Sequence, residues 1–192
     1  MPKLCTFLYF ILSCSVLNFA GAQVQPHTQP TWAEPVASEV LSNFYEIGDE
    51  LYRSAQPSAQ AMRELDARGF KSVLNLSFIS DDTDEAAGTD LALFHTRMDP
   101  YHVREASIVY ALSVMRRAER PLVVHCTRGA DRTGLIIALY RVLYQGWSKE
   151  EALDEMIEGP FDFYWFIFGN IVSYIKEVNV EGLRAQVEAY RF

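Results

Sequence analysis

The stretch His125-Cys126-Thr127-Arg128-Gly129-Ala130-Asp131-Arg132-Thr133-Gly134 separates a strand-like pattern from a helix-like one. Before it, the apolar run Leu122-Val123-Val124 is short and β-branched, which predicts a buried strand. After it, an apolar sequence from Leu135 to Gln145 ends at Gly146, which predicts a helix followed by a glycine. The stretch is therefore a strand-to-helix turn. Such a turn directs backbone N–H groups and the positive end of a helix dipole into one concavity.

The side chains of this turn suit attack on phosphorus. A helix N-terminus, a ring of N–H donors and Arg132 all favour the thiolate form of Cys126, which is the nucleophilic form. Arg132 follows six positions after Cys126 and can curl back to offer two phosphate oxygens a planar pair of donors. Thr133 can donate its hydroxyl to the sulfur. The turn is therefore predicted to hold a reactive cysteine beside an anion site.

Three further residues are expected to shape the turn. Gly129 lets the chain wrap tightly where a side chain would clash, and Gly134 allows close approach at the start of the helix. The ring of His125 is expected to hold the loop from behind without touching substrate. The alternative interpretation is a buried, inert cysteine in a glycine-rich turn beside a structural arginine.

The pattern His-Cys-x5-Arg-Thr-Gly resembles the signature loop of the cysteine-dependent protein tyrosine phosphatase superfamily, in its small bacterial dual-specificity-like branch. The segment Leu51-Tyr52-Arg53-Ser54-Ala55-Gln56-Pro57-Ser58 is similar to the beginning of that domain, and the resemblance covers roughly residues 41–160. Within this segment, Arg53 is either a substrate contact or a structural pairing partner. A rhodanese-like or arsenate-reductase-like use of the Cys-x5-Arg loop is a lesser alternative.

The resemblance implies a phosphatase that works through a phosphocysteine formed on Cys126 and then hydrolysed by water. It also implies that Arg132 and the loop amides of residues 127–132 stabilise the equatorial phosphate oxygens. The predicted substrate-binding residues are Thr127, Arg128, Gly129, Ala130 and Thr133. No metal or other cofactor is expected, because the loop itself supplies the positive charge.

Two aspartates are candidates for the general acid that protonates the leaving oxygen. Asp99 lies 27 residues before Cys126 in a turn ahead of a helix, a placement that resembles the separate acid loop of the family. Asp131 lies inside the signature and resembles an acid found in myotubularin-type and some bacterial loops. Repulsion from bound phosphate would favour the protonated form of Asp131, which suits an acid. The other role open to Asp131 is to orient Arg132 through an ion pair.

The substrate is less well defined by the sequence. Arg128 is the one non-catalytic cation in the loop, and Asp131 offsets it, which favours phosphotyrosine or mixed phosphoprotein substrates over polyphosphorylated ligands. The alternatives are a phosphatase of phosphoinositides or inositol phosphates, and a binding module that recognises phosphorylated partners without turnover. A chain with net charge −8 and no basic run is not expected to bind nucleic acid, and its oligomeric state is not predicted.

The N-terminus predicts export. Lys3, the apolar run from Leu4 to Leu17 and the small residues Ala20-Gly21-Ala22 are typical of a secretory signal peptide over residues 1–22, which places the mature protein in the periplasm or outside the cell. A membrane anchor and a lipoprotein cut before Cys14 are the weaker alternatives. After cleavage, Cys126 is the one cysteine left, so no intrachain disulfide is expected, and no membrane span is expected in the mature chain.

Residues 23–38 are predicted to be a flexible linker, and residues 39–192 a single phosphatase-like domain. Strand-like and helix-like segments alternate through the domain. They predict an α/β fold with a central, mainly parallel sheet flanked by helices and the signature loop between a strand and a helix. The acidic run at residues 80–85 is expected to be a solvated loop rather than a Ca²⁺ site. Residues 161–180, which are rich in aromatic side chains, are expected to form a core helix.

Overall fold

The structure, a computed structural model, describes residues 31–191. These residues form one six-stranded sheet and six helices. The strands are β1 (Glu34–Pro35), β2 (Tyr45–Gly48), β3 (Leu51–Ser54), β4 (Ser72–Asn75), β5 (Ala92–His95) and β6 (Leu122–His125). The helices are α1 (Ala59–Ala67), α2 (Glu105–Arg117), α3 (Asp131–Tyr144), α4 (Lys149–Glu158), α5 (Gly169–Glu177) and α6 (Val180–Ala189).

The sheet has the strand order β1-β2-β3-β6-β4-β5. The hairpin β2–β3 and the short β1 are antiparallel, whereas β3, β6, β4 and β5 run parallel. The predicted α/β fold with a mainly parallel sheet flanked by helices is confirmed. The register aligns Ser54, His125 and Asn75 at the carboxyl ends of three neighbouring strands. Ligands of parallel sheets bind outside these ends, and the signature loop begins there.

Side-chain alternation along the strands divides the core into two layers. Val73 and Val123 point to one face, where α1 buries Met62 and Leu65 against them. The neighbouring strand positions contribute to a larger core on the other face, which the remaining five helices cover. The signature loop and α3 therefore lie on the heavily covered face, and 11 of the 14 residues of α3 are buried. A helix that is apolar on nearly all sides belongs in a core of this kind.

Local sequence signals define most element ends well. The sequence Ser148-Lys149-Glu150-Glu151 predicts a capping box at the start of α4, and the structure confirms it: Ser148 accepts from the Glu151 N–H, and the Glu151 carboxylate accepts from the Ser148 N–H. The residue pattern at 94–98 predicts a strand, and the observed strand, β5, begins two residues earlier, at Ala92. The apolar spacing from Val103 to Arg117 predicts a helix, and α2 begins two residues later, at Glu105.

The expected core helix at residues 161–180 is wrong in its first half. Helix α5 begins at Gly169, and Tyr164, Trp165, Phe166 and Ile167 are exposed. Asp162 has φ +59°, which ends helical geometry, and the Tyr164 N–H donates to Asp131 instead of to a carbonyl four residues earlier. Tertiary contacts therefore override the local helical pattern.

The predicted signal peptide, residues 1–22, lies outside the described residues. The predicted linker, residues 23–38, overlaps them at residues 31–38, and this part is held against the domain. Glu34–Pro35 pair with β2, and the Ala33 N–H donates to the buried Glu155 carboxylate at 2.7 Å. Leaving the buried Glu155 carboxylate without this donor would cost free energy, so the hydrogen bond anchors residues 31–38 to the domain. They do not form a free linker.

Candidate active site

The signature loop connects the end of β6 to the start of α3, as predicted. His125 is the last residue of the strand and Asp131 the first of the helix. Between them lies Cys126, a free thiol that is 1% exposed. The central position of β6 between β3 and β4 places this cysteine at the middle of the sheet's carboxyl edge.

Gly129 makes the tight path of the loop possible. Its φ is +69°, and a Cβ at this position would lie 2.3 Å from the Ser54 carbonyl oxygen and 2.7 Å from the Ala55 nitrogen. Both the conformation and the contact exclude a side chain, so the predicted role of Gly129 is confirmed. The loop is held to the same segment by a hydrogen bond of 3.3 Å from the Gln56 N–H to the Thr127 carbonyl.

Gly134 allows a close contact between helices at the start of α3. A Cβ there would lie 3.0 Å from the Cγ of Met156 on α4. The absence of a side chain therefore lets α3 and α4 pack closely just behind the signature loop, as expected.

Arg53 supports the loop from the neighbouring strand. Its side chain is 1% exposed, and Nη2 donates to the Gly129 carbonyl at 2.6 Å. The guanidinium lies 3.7 Å from the centroid of the Phe161 ring. Burial lowers the pKa of Arg53 to about 10, against the opposing field of Glu155. Of the two roles open to Arg53, the structure shows the structural one.

Several hydrogen-bond donors around Cys126 have no acceptor in residues 31–191. The backbone N–H groups of residues 127–130 form no hydrogen bond there. Arg132 curls back as expected, donating from Nη2 to the Thr127 hydroxyl at 3.0 Å and from Nη1 to the Met98 carbonyl at 3.5 Å, while its buried Nε has no partner. Backbone donors withdrawn from water require a partner, so this set of donors is arranged to receive an anion.

Thr133 is fully buried, and its hydroxyl has no hydrogen-bond partner in the described part of the chain. The expected hydrogen bond to the cysteine sulfur is therefore not made in this structure. The hydroxyl lies two residues into α3 and remains a donor with no assigned acceptor.

His125 is held by a residue of the acidic run. Its Nε2 donates to the Asp82 carboxylate at 2.8 Å, and both side chains are buried. Asp82 also accepts from the amides of Asn75 at 2.9 Å and Gln56 at 2.7 Å. The acidic run is therefore not simply a solvated loop, because its second aspartate turns inward and fixes the ring behind Cys126.

Asp131 is paired with Arg128. The Nη2 of Arg128 lies 2.9 Å and 3.2 Å from the two carboxylate oxygens, and the Asp131 side chain also accepts from the Tyr164 N–H at 3.3 Å. Arg128 is held further by the Asp162 carbonyl and by the Tyr164 ring, whose centroid is 3.7 Å away. The ion pair expected between Asp131 and Arg132 is thus replaced by one with Arg128, which is three residues away and on the same side of the turn.

Asp99 lies on the loop between β5 and α2. Its carboxylate accepts from His102 Nδ1 and from the Tyr101 N–H, each at 2.9 Å. The hydrogen bond from His102 and then that from the Tyr101 N–H lower the pKa of Asp99. The preceding residue, Met98, provides the carbonyl that Arg132 contacts. The Asp99 loop is therefore joined directly to the signature arginine.

Residues 161–170, here called the aromatic segment, connect the signature loop to the Asp99 loop. One end contacts Arg128 and Asp131, as described above. At the other end, Asn170 donates to the carbonyls of Pro100 at 2.9 Å and Tyr101 at 3.2 Å. The segment therefore frames the mouth of the site, a role that its helical sequence pattern did not indicate.

Large exposed apolar side chains are concentrated on the segments that follow the carboxyl ends of β4 and β5 and on the aromatic segment. They are Phe78 and Ile79 after β4, Tyr101 after β5, and Tyr164, Trp165, Phe166 and Ile167 of the aromatic segment. Elsewhere in the described residues, Trp32 and Leu93 are the other two large apolar side chains exposed to this degree. An apolar surface gathered at one place marks an interaction site.

Two further properties of the described residues concern membrane spans and metal sites. No helix within residues 31–191 is long and apolar enough to span a bilayer. The same residues contain no group of three or more histidine, cysteine or acidic side chains placed to hold a metal ion.

Comparison with known proteins places this geometry in a family. The family described as "Tyrosine phosphatase family" matches residues 40–158. The dual specificity protein phosphatase TpbA of Pseudomonas aeruginosa strain PAO1 is 36% identical over 169 residues, covering 85% of this chain and 74% of TpbA. The inositol diphosphatase DSP5 of Arabidopsis thaliana is 30% identical over 128 residues, covering 59% of each chain.

A solved structure supports the same relationship. The crystal structure of Pseudomonas aeruginosa TpbA in complex with pTyr has a TM-score of 0.72 and 32% identity, and the match covers 84% of this chain and 98% of that one. With the family match over residues 40–158, the chain therefore belongs to the tyrosine phosphatase family and is a cysteine-dependent phosphatase of the tyrosine or dual-specificity type.

Proposed function

We propose that this protein hydrolyses phosphotyrosine, or a mixed range of phosphoprotein substrates, through a phosphocysteine intermediate on Cys126. The observation that carries the proposal is the set of unpaired donors in the signature loop. The N–H groups of residues 127–130 and the Nε of Arg132 have no acceptor in the described chain. Three phosphate oxygens would satisfy them while Cys126 lies at the centre of the loop.

The reaction has two steps. The Cys126 sulfur attacks phosphorus, the phosphorus–oxygen bond to the leaving group breaks, and the general acid gives that oxygen a proton. Water then attacks the phosphocysteine and gives a proton to the carboxylate left by the first step, the phosphorus–sulfur bond breaks with its electron pair on sulfur, and inorganic phosphate leaves. Arg132 and the loop amides bind the equatorial oxygens in both steps, and the free hydroxyl of Thr133 is available to the sulfur as it departs.

We assign the general acid to Asp99 rather than to Asp131. Asp131 is 7% exposed and already neutralised by Arg128, so it serves the scaffold of the loop. Asp99 is more open and lies beside the carbonyl that Arg132 contacts. The hydrogen bond from His102 favours the ionised form of Asp99, so Asp99 must leave His102 in order to deliver a proton.

The surroundings of the site favour an aromatic phosphoester on a peptide. The apolar rim formed by Phe78, Tyr101 and the aromatic segment offers contact area to a phenyl ring and its flanking residues. Arg128, the additional loop cation, is committed to Asp131 and the Tyr164 ring. It is therefore poorly placed to bind the further phosphates of an inositol phosphate, the substrate class that the name of DSP5 indicates.

A substrate panel tests the proposal. Purified enzyme is assayed for phosphate release from phosphotyrosine and phosphothreonine peptides, inositol polyphosphates and phosphoinositides, with Cys126→Ser as the inactive control. We expect the highest kcat/KM on a phosphotyrosine peptide. A higher kcat/KM on an inositol polyphosphate would reverse the substrate assignment. Binding of phosphopeptides without any turnover would favour the non-catalytic module.

The acid assignment is tested with two leaving groups. Loss of the general acid slows hydrolysis of phenyl phosphate far more than that of p-nitrophenyl phosphate, whose leaving group needs little protonation. We expect this pattern for Asp99→Asn. If Asp131→Asn shows it and Asp99→Asn does not, the roles are exchanged.

We also propose that the protein is exported by the signal peptide predicted at residues 1–22. Expression of the full chain in a Gram-negative host, followed by fractionation and N-terminal sequencing, tests this. The expected product is found in the periplasm or medium and begins at Gln23. Full-length protein retained in the cytoplasm would contradict export.

A further inference from the structure

A cavity lies beside Arg132, the arginine of the signature loop. It has a volume of about 280 Å³ and is lined by Phe78, Arg97, Met98, Asp99, His102 and Arg104, among others. The carbonyl of Met98 accepts from Arg132, so the cavity adjoins the phosphate-binding loop without being part of it. A substrate whose phosphate occupies the loop can therefore extend into this cavity.

The cavity contains two uncommitted cations. Within residues 31–191, Arg97 and Arg104 make no ion pair and no side-chain hydrogen bond. Arg104 occupies the N-cap of α2 but does not cap the helix with its side chain. The next residue, Glu105, is engaged elsewhere, by Gln186 and Tyr174. The guanidinium of Arg104 is thus available to a ligand.

The nearby carboxylates do not neutralise this pair. Asp99 is hydrogen-bonded to His102 and to the Tyr101 N–H. Asp81 senses the field of Arg97 but forms no ion pair with it. In a chain of net charge −8, two unpaired arginines in one small cavity are a local positive site. Such a site attracts an anionic group.

The apolar wall of the cavity favours an anionic group that is attached to an apolar stem. Phe78 is 53% exposed and forms one wall, and it belongs to the apolar rim of the catalytic mouth. A free inositol polyphosphate presents only phosphates and hydroxyls and gains little from a phenyl wall. A peptide presents a carboxylate on an aliphatic stem beside its phosphotyrosine, which matches both the arginines and the ring.

We propose that the cavity of Arg97 and Arg104 is a subsite for an acidic side chain flanking the phosphotyrosine of a peptide substrate. The proposal rests on the phosphotyrosine phosphatase function proposed above. According to this proposal, the enzyme selects among phosphotyrosine peptides by the acidic residues that flank the phosphotyrosine.

Matched peptides test the subsite. Phosphotyrosine peptides with glutamate at the flanking positions are compared with peptides carrying glutamine there, by kcat/KM at low salt. An ion pair of this exposure corresponds to about fivefold in affinity, so we expect the glutamate peptide to be preferred by about that factor, mainly through KM. The preference should shrink as salt is raised.

Variants then locate the preference. Arg97→Gln combined with Arg104→Gln should abolish the difference between the two peptides. Arg63→Gln, which removes an exposed arginine from α1 on the opposite face of the sheet, should keep it. Melting temperatures of all three proteins establish that the comparison is between folded enzymes.

Three outcomes would overturn the proposal. Equal kcat/KM for the two peptides in the wild-type enzyme would show that the cavity is not a subsite for an acidic side chain. Hydrolysis of p-nitrophenyl phosphate by the same preparation would show that the enzyme is nevertheless an active phosphatase. A preference that survives in the double variant places the subsite elsewhere. Loss of an inositol polyphosphatase activity in the double variant, with no effect on peptides, reassigns the cavity to phosphate groups.

Discussion

Asp82 accepts a hydrogen bond of 2.8 Å from the Nε2 of His125, and the pair lies buried directly behind the catalytic cysteine. The two residues are 43 positions apart in sequence. The Asp82 carboxylate also accepts from the side-chain amides of Asn75, the last residue of β4, and Gln56, which follows β3. One carboxylate therefore ties together three segments that meet under the signature loop.

Asp82→Asn should impair catalysis more than binding. The amide places a donor or a weaker acceptor opposite the His125 ring, so the ring and the backbone of Cys126 lose their fixed position. A displaced nucleophile can cost roughly 10- to 100-fold in kcat. The loss of a charged hydrogen-bond acceptor should also lower the free energy of unfolding by about 2 kcal/mol. Steady-state kinetics and chemical denaturation measure the two effects.

Asp81→Asn is the matched control, because Asp81 is exposed in the same loop and accepts from the neighbouring Thr83, through its N–H and its side chain. It should leave kcat and stability nearly unchanged. A kcat for Asp82→Asn equal to that of Asp81→Asn would show that the buried pair does not position the cysteine.

The contrast between Asp81 and Asp82 shows where sequence reasoning ends. The signature loop could be predicted in detail, because strand, turn, glycine and helix signals are local and adjacent. The inward turn of Asp82 depends on His125 and on the order of the strands. Four acidic residues within five positions, 81–85, carry no local signal that separates the buried aspartate from its neighbours.

The aromatic segment shows the same limit. Its composition favours a core helix, but the Tyr164 N–H is taken by Asp131, 33 residues earlier. That bond and the stacking of Tyr164 on Arg128 both require residues of the signature loop, which lie more than 30 positions away in sequence. A local pattern cannot report a partner that only the tertiary structure brings near.

Gly129→Ala should abolish activity and destabilise the protein. The added Cβ would lie 2.3 Å from the Ser54 carbonyl oxygen, so the loop must move away from β3. The positive φ alone costs about 1 kcal/mol, and the clash adds to it. Gly88→Ala separates the two effects, because Gly88 has φ +82° with no atom within 4 Å of the added Cβ.

Thermal unfolding and p-nitrophenyl phosphate hydrolysis provide the readouts. Gly88→Ala should show a small loss of stability and full activity. Equal losses of stability in the two variants would mean that the contact with Ser54 is not a constraint on the loop.

Removal of residues 1–38 should destabilise the domain, although sequence alone predicts its boundary at residue 39. The Ala33 N–H and the strand β1 would be lost, and Glu155 would keep only its buried partner Arg141. We expect Tm to fall by about 5 °C relative to a protein that begins at residue 31. Differential scanning calorimetry of the two truncated proteins measures this. Identical Tm values would show that residues 31–38 do not stabilise the domain and belong to the linker.

His102→Ala should move the pH profile in a direction fixed by the Asp99 hydrogen bond. His102 donates to Asp99 and lowers its pKa, so removing this donor raises the pKa toward the ordinary value of an aspartate. A general acid works while protonated, and activity is lost as pH rises through its pKa. With phenyl phosphate, the alkaline limb of the kcat profile should therefore shift to higher pH. With p-nitrophenyl phosphate it should stay in place, because that leaving group needs little protonation.

Tyr101→Phe is the control for His102→Ala, since Tyr101 bonds to Asp99 through its backbone N–H, which phenylalanine retains. Its phenyl phosphate profile should match that of the wild-type enzyme. A limb that stays fixed in His102→Ala but moves in Arg128→Gln would point to Asp131 as the proton donor, because Arg128 is the cation paired with the Asp131 carboxylate. The variant that shifts the alkaline limb therefore identifies the proton donor: His102→Ala points to Asp99, and Arg128→Gln points to Asp131.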